Sequence, residues 1–288
     1  MRDFIISTDS TVDLPESYLK ENNIVIHPLY YIIDEKEYGF GISELTLQDF
    51  YKSMKSGKMP TTSGSKPQYI TKLMKEQINK GYDILHISFS SELSCSYNNA
   101  AICARNIMEE MHNANILVID SLCATAGQGL MVYKAIQLKK QGKTMEEIAD
   151  WIKENRKYFV HQVIVNDLFH LARGGRIPKS TAIAGRVLRI QTLLHLNKEG
   201  KLSNIGKIRG RKKALKILVD NIEEKTVGLK LDTVFISHSD CIIDAVDLAD
   251  RINNKYRVSN IMINDMCPTI SAHTGLDALV VSYLGNDR

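Results

Sequence analysis

Residues 4–11 read Phe4-Ile5-Ile6-Ser7-Thr8-Asp9-Ser10-Thr11, and this stretch decides the fold class. Its three apolar residues predict a short buried strand, and the hydroxyl-rich residues after them predict a loop at the carboxyl end of that strand. The same pattern returns at residues 84–88, which run into further serines, and at residues 116–119, which end at Asp120-Ser121. The first half of the chain therefore predicts several strands that each end in a polar loop.

Amphipathic stretches lie between these apolar runs. Apolar residues at helical spacing predict helices at 14–21, 46–56, 68–80, 97–111, 127–141 and 144–156. Asp13 is the expected N-cap of the first helix, and the hydroxyl-rich tract 60–67 is predicted to be a loop. Strands separated by helices predict an N-terminal Rossmann-like parallel sheet with helices on both faces.

The second half has a different pattern. Two predicted strands, 192–196 and 201–207, flank the turn Lys198-Glu199-Gly200 and predict an antiparallel hairpin. Further strands are predicted at 161–165, 233–237, 260–263 and 278–284, with helices at 166–173, 212–225 and 242–253. We therefore predict an α/β fold with two domains, residues 1–160 and residues 161–288, the second a C-terminal α/β domain with a mixed sheet. Packing of the last segments back on the first domain is left open.

Charge and cysteine usage limit the classes of function. Of 37 basic residues, six lie within 207–216, which leaves 31 against 33 acidic residues in the rest of the chain. One basic segment on a slightly acidic body does not suggest a general nucleic-acid binder. The five cysteines are odd in number and lack CxxC spacing, so we expect neither a disulfide framework nor a structural zinc site. The polar N-terminus indicates no signal peptide, and we expect a cytoplasmic protein.

The polar loops suggest a site for a single negative charge. Ligands of parallel sheets bind beyond the carboxyl ends of the strands, where the N–H groups of helix N-termini also attract anions. Three loops of this kind occur at 7–11, 88–96 and 120–125, and the hydroxyls of 61–63 are expected to join them. Neutral hydroxyls and backbone donors suit a carboxylate. The alternative that these residues only cap helices and form turns stays open for each loop.

Seven short motifs follow one another along nearly the whole chain. They are residues 8–14 (TDSTVDL), 60–63 (PTTS), 90–97 (SSELSCSY), Asp120-Ser121 with 127–129 (GQG), Asp167-Leu168 with 171–177 (LARGGRI), 207–214 (KIRGRKKA) and 273–275 (HTG). In this order the motifs make the chain similar to the DegV family. The resemblance implies two α/β domains with a long-chain fatty acid bound between them.

The resemblance also implies a role for this fold. Members of the family are thought to present the fatty acid to the catalytic subunit of a fatty acid kinase, which phosphorylates the carboxylate so that the acyl group can enter phospholipid. The chain would then be a lipid-binding carrier without catalytic residues, cofactor or metal. Carried over by motif, the residues implied to surround the carboxylate are Thr62, Ser63, Ser94, Arg209 and His273.

The chain departs from the family pattern near these residues. Cys95 stands where the family usually has Gly, Gly64 where it has Gln, and Leu276-Asp277 where it has Pro-Gly. A side chain at position 95 is expected to tighten the loop or to change its backbone angle, because only Gly moves freely into positive φ. Arg173 and Arg176 are expected to clamp the structure, with Arg176 paired to a carboxylate.

Two other functions remain alternatives. Ser94 and His273, together with Asp9, would supply the residues of a serine-dependent lipid esterase or hydrolase, although no G-x-S-x-G elbow is present. The segment 207–216 would supply a nucleic-acid surface, a solvated helix face or a docking surface for an acidic partner kinase. Transient contact with a membrane surface is a further expectation, and the oligomeric state is left open.

Overall fold

A computed structural model describes residues 2–39, 45–166, 168–182 and 190–288 of the chain. Asp167, which belongs to one of the seven motifs, lies outside the described residues. The strands are β1 (Phe4–Asp9), β2 (Val25–His27), β3 (Tyr30–Ile33), β4 (Lys36–Tyr38), β5 (Thr61–Ser63), β6 (Asp83–Ser88), β7 (Ile116–Asp120), β8 (Phe159–Val165), β9 (Ile190–Leu196), β10 (Leu202–Arg209), β11 (Thr233–His238), β12 (Asn260–Asp265) and β13 (Leu279–Leu284).

The helices alternate with the strands through most of the chain. They are α1 (Glu16–Glu21), α2 (Leu47–Lys55), α3 (Pro67–Asn79), α4 (Ser96–Glu110), α5 (Thr125–Lys140), α6 (Met145–Asn155), α7 (Phe169–Arg173), α8 (Lys179–Ala182), α9 (Arg211–Lys225), α10 (Ile242–Tyr256) and α11 (Pro268–Thr274). Within the described ranges, every helix is too short or too polar to cross a lipid bilayer.

The first sheet has the strand order β2-β1-β6-β7, and all its pairs are parallel. Successive side chains of a strand point to opposite faces of the sheet. Ile5 and Ile84 therefore pack with α3 and α4 on one face, whereas Phe4, Ile6 and Leu85 pack with α5 and α6 on the other. This arrangement confirms the predicted Rossmann-like sheet with helices on both faces.

The second sheet is mixed, as predicted, with the order β10-β9-β8-β13-β11-β12. Its pairs are antiparallel except β11 with β12, and the predicted hairpin is the β9–β10 pair. Helices α9 and α10 share a core with one face of this sheet, through residues such as Leu218 and Leu248. Sheet residues of the opposite face, such as Val163 and Val280, share a core with α5.

Helix α5 lies between the two sheets, and all residues of its first two turns are buried. Because both of its sides face protein, the helix shows no single apolar stripe of the kind that surface helices have. Two glycines allow the close approach. A Cβ at Gly127 would lie 1.7 Å from Nε2 of His161, and a Cβ at Gly129 would lie 2.6 Å from the Val12 carbonyl oxygen. The GQG motif is thus a packing motif at the junction of the two sheets.

A third sheet, β4-β3-β5, comes from the first half of the chain, and α11 from the second half packs against it. The predicted loop 60–67 is wrong in part, because Thr61–Ser63 forms β5 and pairs with β3. Tyr31 and Phe50 share a small core with Ala272 of α11, and the Tyr51 hydroxyl donates to the Met266 carbonyl at 3.0 Å. The late segment 266–274 therefore packs on the first half of the chain, while the division into domains 1–160 and 161–288 stays a prediction.

Two local predictions are corrected. Asp13 does not cap α1, since Pro15 holds the N-cap position and the Asp13 carboxylate accepts the Cys267 N–H at 2.9 Å instead. Helix α11 was not predicted, because only seven residues separate Cys267 from Gly275 and they show no clear helical pattern. The predicted helix 166–173 is shorter in the structure, where α7 begins at Phe169.

Candidate functional site

A cavity that is open to solvent lies where the loops after β6 and β7 meet β8, β13, α7 and α11. Its apolar lining residues are Leu29, Phe89, Leu93, Ala124, Val163, Leu171, Leu196, Leu202, Ile270 and Val280. The other lining residues are Thr62, Ser63, Gly64, Ser94, Thr125, His161, Arg176, Thr269, His273 and Thr274.

Thr62 and His273 form a direct pair at this cavity. Oγ1 of Thr62 lies 2.7 Å from Nε2 of His273. Strand β5 holds Thr62 opposite Tyr31 of β3, and α11 holds His273 in its last turn. The pairing therefore depends on α11 packing against the small sheet, and it joins residues 211 positions apart.

Burial keeps the His273 imidazole neutral. Desolvation, followed by the nearby positive charges of Arg176 and Arg173, lowers the pKa of His273 to about 3. Its Nδ1 is buried against Gly174 and has no hydrogen-bond partner among the described residues. We assign the single proton to Nε2, because this tautomer leaves no buried donor without an acceptor. His273 then donates to Thr62, whose own hydroxyl proton is available to a ligand.

Ser94 is held by its neighbour Ser96 at the start of α4. The Ser96 N–H donates to the Ser94 hydroxyl oxygen at 3.2 Å, and the two hydroxyl oxygens lie 2.9 Å apart. Ser96 is fully buried, and its hydroxyl oxygen accepts the Ser65 N–H at 3.3 Å. Ser94 is therefore fixed at the cavity wall by one backbone donor and one buried hydroxyl.

A buried polar cluster lies behind these serines. The Asp9 carboxylate accepts the Phe89 N–H and the Ser88 hydroxyl, each at 2.7 Å, and the Ser65 hydroxyl at 3.5 Å. Nε2 of His86 lies 3.7 Å from Asp9. Burial raises the pKa of Asp9 and lowers the pKa of His86 to about 3. The cluster braces the loop that carries Ser94, and Asp9 itself is not among the described residues that line the cavity.

Two arginines flank the Gly174-Gly175 turn, and both bond backbone carbonyls. Arg173 donates to the Pro60 oxygen at 2.6 Å and to the Ala272 oxygen at 3.4 Å, which clamps the segment before β5 to α11. Arg176 donates to the Leu93 oxygen at 2.9 Å and also to the Gly174 oxygen. The expected carboxylate partner of Arg176 does not occur among the described residues. Of the described residues that line the cavity, only Arg176 carries a charge.

Four of the five predicted site residues line this cavity, namely Thr62, Ser63, Ser94 and His273. Arg209 is not brought to it. It is the last residue of the edge strand β10 and is exposed, and the chain turns away after it at Gly210 with φ +93°. Among the described lining residues, the positive charge at the cavity comes from Arg176. The run Gly174-Gly175-Arg176 is the sequence signal for this residue, since a glycine turn before an arginine can aim the side chain at a neighbouring loop.

Two of the departures from the family pattern, Gly64 and Cys95, are neighbours in space. Cys95 has φ −73°, so its side chain does not force the loop into an unusual backbone angle. A Cβ at Gly64 would lie 2.8 Å from Sγ of Cys95, so the small residue at 64 leaves room for the thiol at 95. Asp277 adopts φ +61°, a region that Asp tolerates, and accepts a hydrogen bond from Asn166 at 2.8 Å.

The geometry does not join the residues of a catalytic triad. A serine hydrolase requires a serine hydroxyl bonded to a histidine that a carboxylate orients. In this structure His273 bonds Thr62, and Ser94 bonds Ser96. Asp9 lies beside His86 and not beside His273. In the part of the chain that the structure describes, no three His, Cys, Asp or Glu side chains are grouped so that they could hold a metal ion.

The sequence matches one family model over residues 3–286, described as "Uncharacterised protein, DegV family". A DegV domain-containing protein of Clostridium perfringens is 40% identical over 289 residues, which cover 100% of this chain and 99% of that protein. A DegV domain-containing protein of Streptococcus pyogenes is 32% identical and covers 99% of each chain. These matches extend over the whole described fold.

Solved structures of the same shape have been described as fatty acid-binding proteins. A DegV family protein of Thermus thermophilus, whose structure is described as showing fatty acid binding, has a TM-score of 0.89 at 25% identity, covering 99% of this chain and 100% of that one. A fatty acid-binding DegV family protein of Streptococcus agalactiae has a TM-score of 0.85 at 28% identity and covers 100% of both chains. DegV of Bacillus subtilis, also described as a fatty acid-binding protein, has a TM-score of 0.86 at 26% identity, covering 99% and 100%.

Proposed function

The chain belongs to the DegV family, and on that premise we propose that it binds a long-chain fatty acid in the cavity described above. One observation carries the proposal. The cavity wall is largely apolar, yet it includes two hydroxyls, a neutral histidine and one arginine that can face an acid head group. The fatty acid binding described for the three relatives of similar structure supports the same ligand class.

The polar residues suit a carboxylate better than a neutral head group. Thr62 and Ser94 can each donate an O–H to a carboxylate oxygen, and Ser63 lies beside them. Arg176 supplies a permanent positive charge within the same wall, so a contact with it would be charge-assisted. A carboxylate buried without such partners would be costly or would stay protonated. In the proposed complex His273 acts through Thr62 rather than through a charge of its own.

The apolar lining suits the tail. Each buried methylene contributes about 0.8 kcal/mol, so an acyl chain of about 16 carbons gains on the order of 10 kcal/mol before the costs of binding. Burial of the tail therefore dominates the affinity. The polar residues set the orientation of the ligand and select its head group.

Titration of delipidated protein with palmitic acid and with its methyl ester tests this assignment. We expect the acid to bind more tightly than the ester, and Thr62→Val to reduce that preference by roughly tenfold, the value of one hydrogen bond to a charged group. Thr61→Val is the matched control, because Thr61 lies on the same strand but is exposed to solvent. Equal binding of acid and ester by the unaltered protein would overturn the assignment of the head-group site.

We further propose that the chain is a carrier that presents the carboxylate to a fatty acid kinase, for acyl-phosphate formation and phospholipid synthesis. A basic surface supports a protein partner of acidic character. Its exposed members are Lys207, Arg209, Lys212, Lys213 and Lys216. Neighbouring Arg211 is tied to Asp244 at 2.9 Å and is not part of this surface. In this proposal the basic surface docks the kinase, and nucleic acid is not a partner.

A charge reversal separates docking from lipid binding. We expect Lys212→Glu/Lys213→Glu to lower the rate at which a partner kinase phosphorylates the bound acid, with fatty acid affinity unchanged. The control reverses Lys72 and Lys80, which are exposed near the other sheet on α3 and just after it. Equal rates for the two variants would contradict docking at the basic surface.

All five cysteines are free, which supports a reducing cytoplasmic location as part of the same proposal.

A further inference from the structure

Helix α5 begins at the cavity wall with an unusual residue. Thr125 is its first residue, and the backbone there has φ +45°. Positive φ is an outlier for a β-branched residue, and such strain is commonly kept at functional sites. Glycine or asparagine would adopt this angle at lower cost. The backbone conformation alone therefore does not explain why a threonine stands at position 125.

Among the residues that the structure describes, none forms a hydrogen bond with the Thr125 side chain. The residue is 3% exposed and lines the cavity, and its Oγ1 is buried without a hydrogen-bond partner among the described residues. A buried hydroxyl without a partner has lost its hydrogen bonds to water and gained none in return, which costs free energy. A ligand atom that accepts a hydrogen bond from this hydroxyl would recover that free energy.

The start of α5 adds further unpaired donors to the same place. Its N-cap residue is Ala124, which has no side-chain acceptor to offer, whereas Ser, Thr, Asp or Asn usually caps a helix. Among the described residues, the N–H groups of Thr125 and Ala126 have no hydrogen-bond acceptor. The positive end of a helix of 16 residues thus meets the cavity wall beside the free hydroxyl.

The neighbouring histidine does not satisfy these donors. His161 also lines the cavity, and its Nδ1 lies 2.9 Å from the Phe159 carbonyl oxygen, which can only accept. Nδ1 therefore carries the proton, and Nε2 already accepts the Ala124 N–H at 3.5 Å. Burial and the charge of Arg288 lower the pKa of His161 to about 3, so the ring is neutral.

We propose that Thr125 and the start of α5 form a second polar subsite, which takes an oxygen atom carried on the acyl chain, as in a hydroxy or oxo fatty acid. The inference rests on the proposed fatty acid binding and names its substrate class more closely. The two backbone N–H groups can only donate and the Thr125 hydroxyl can also donate, so a ligand atom that accepts suits all three. A second carboxylate fits less well, because Arg176 alone among the described lining residues is charged and would leave one acid group uncompensated.

The test compares stearic acid with a set of monohydroxystearic acids that carry the hydroxyl at successive carbons, each titrated into delipidated protein. We expect at least one isomer to bind roughly tenfold more tightly than stearic acid, which corresponds to one buried hydrogen bond. Thr125→Val should abolish this preference, so that stearic acid and the hydroxy isomers bind the variant with similar affinity. Thr269→Val is the matched control, because Thr269 lines the cavity but its hydroxyl already lies 3.1 Å from Sγ of Cys267.

Thr125→Gly is a second variant that removes the same hydroxyl, and it replaces Thr125→Val in the test if the valine variant does not fold. It relieves the strain at φ +45°, so it should be at least as stable as the parent protein and should also lose the preference. Equal binding of stearic acid and every hydroxy isomer would overturn the subsite, as would a preference that survives in both Thr125 variants. Binding of neither kind of acid would instead overturn the proposed function itself, and the subsite with it.

Discussion

The hydroxyl oxygens of Ser94 and Ser96 lie 2.9 Å apart, and only Ser94 lines the cavity. If Ser96 directs its proton to Ser94, the Ser94 oxygen accepts twice, since it also accepts the Ser96 N–H. The Ser94 proton is then left for a ligand. Ser96 is thus a positioning residue for the head group, and this role can be tested separately from direct contact.

We expect Ser96→Ala to weaken binding of palmitic acid by about threefold to tenfold, the value of one hydrogen bond that orients a donor. The affinity for the methyl ester should change less. Isothermal titration of both ligands provides the measurement, with Ser91→Ala on the same loop as control. An acid affinity equal to that of the parent protein, in a variant of normal stability, would contradict the positioning role.

The neutral state of His273 leads to a second expectation. Its pKa is lowered to about 3, so the ring carries no charge at any pH between about 6 and 8. Fatty acid affinity should therefore be constant across that interval when ligand ionisation is complete. Titrations at several pH values provide the measurement. An affinity that rises toward pH 6 would mean that a cationic histidine anchors the carboxylate.

Asp13 should make the stability of the protein depend on pH. Burial raises the pKa of Asp13 from 3.8 to about 7, so the folded protein keeps this proton to higher pH than the unfolded chain does. As pH rises from about 4 to 7 the unfolded chain loses its proton first, and stability falls by up to about 4 kcal/mol. Asp13→Asn should remove this loss and keep the acceptor for the Cys267 N–H.

The stability advantage of Asp13→Asn over the parent protein should therefore grow between about pH 5 and pH 8. Urea unfolding at both pH values measures it. The buried histidines contribute equally to the unfolding free energies of both proteins, so their contribution cancels when the variant is compared with the parent protein. An advantage that stays constant or shrinks as pH rises would contradict a raised pKa at Asp13.

Gly64 and Cys95 should depend on each other. Because a Cβ at position 64 would lie 2.8 Å from Sγ of Cys95, we expect Gly64→Ala to cost about 1 kcal/mol of stability through overpacking. The same change should cost little in a Cys95→Gly background. A double-mutant cycle on unfolding free energies measures the coupling, and additive effects would show that the two positions do not share this space.

Much of the fold was predictable, because alternating apolar runs and amphipathic stretches record which faces are buried. Both sheet types follow from this pattern, and so does the β9–β10 hairpin around Gly200. Helix α5 was predicted at 127–141, yet its place between the sheets was not, since its first two turns are buried on all sides and therefore show no directional pattern. Helix α11 was missed because it is short and owes its place to contacts with residues far away in sequence.

The candidate site was predictable where hydroxyl residues follow strands. Ser94 lies in such a loop, and the hydroxyls of 61–63 were expected to join it, whereas the choice of Thr62, Ser63, Ser94 and His273 as site residues came from the family resemblance. The position of Arg176 at the cavity wall was not predictable, because the direction of an arginine depends on the turn before it and on the carbonyls it reaches. The buried state of Thr125 was equally hidden, since backbone strain and a missing partner are properties of the folded chain.

Mass spectrometry of lipid extracted from natively purified protein tests the binding of a long-chain fatty acid most directly. We expect about one long-chain free fatty acid per protein molecule, and a clear loss of it from a Thr62→Val/Ser94→Ala variant of normal stability. A natively purified protein that carries no fatty acid, and takes none up when palmitic acid is supplied, would contradict the proposed function.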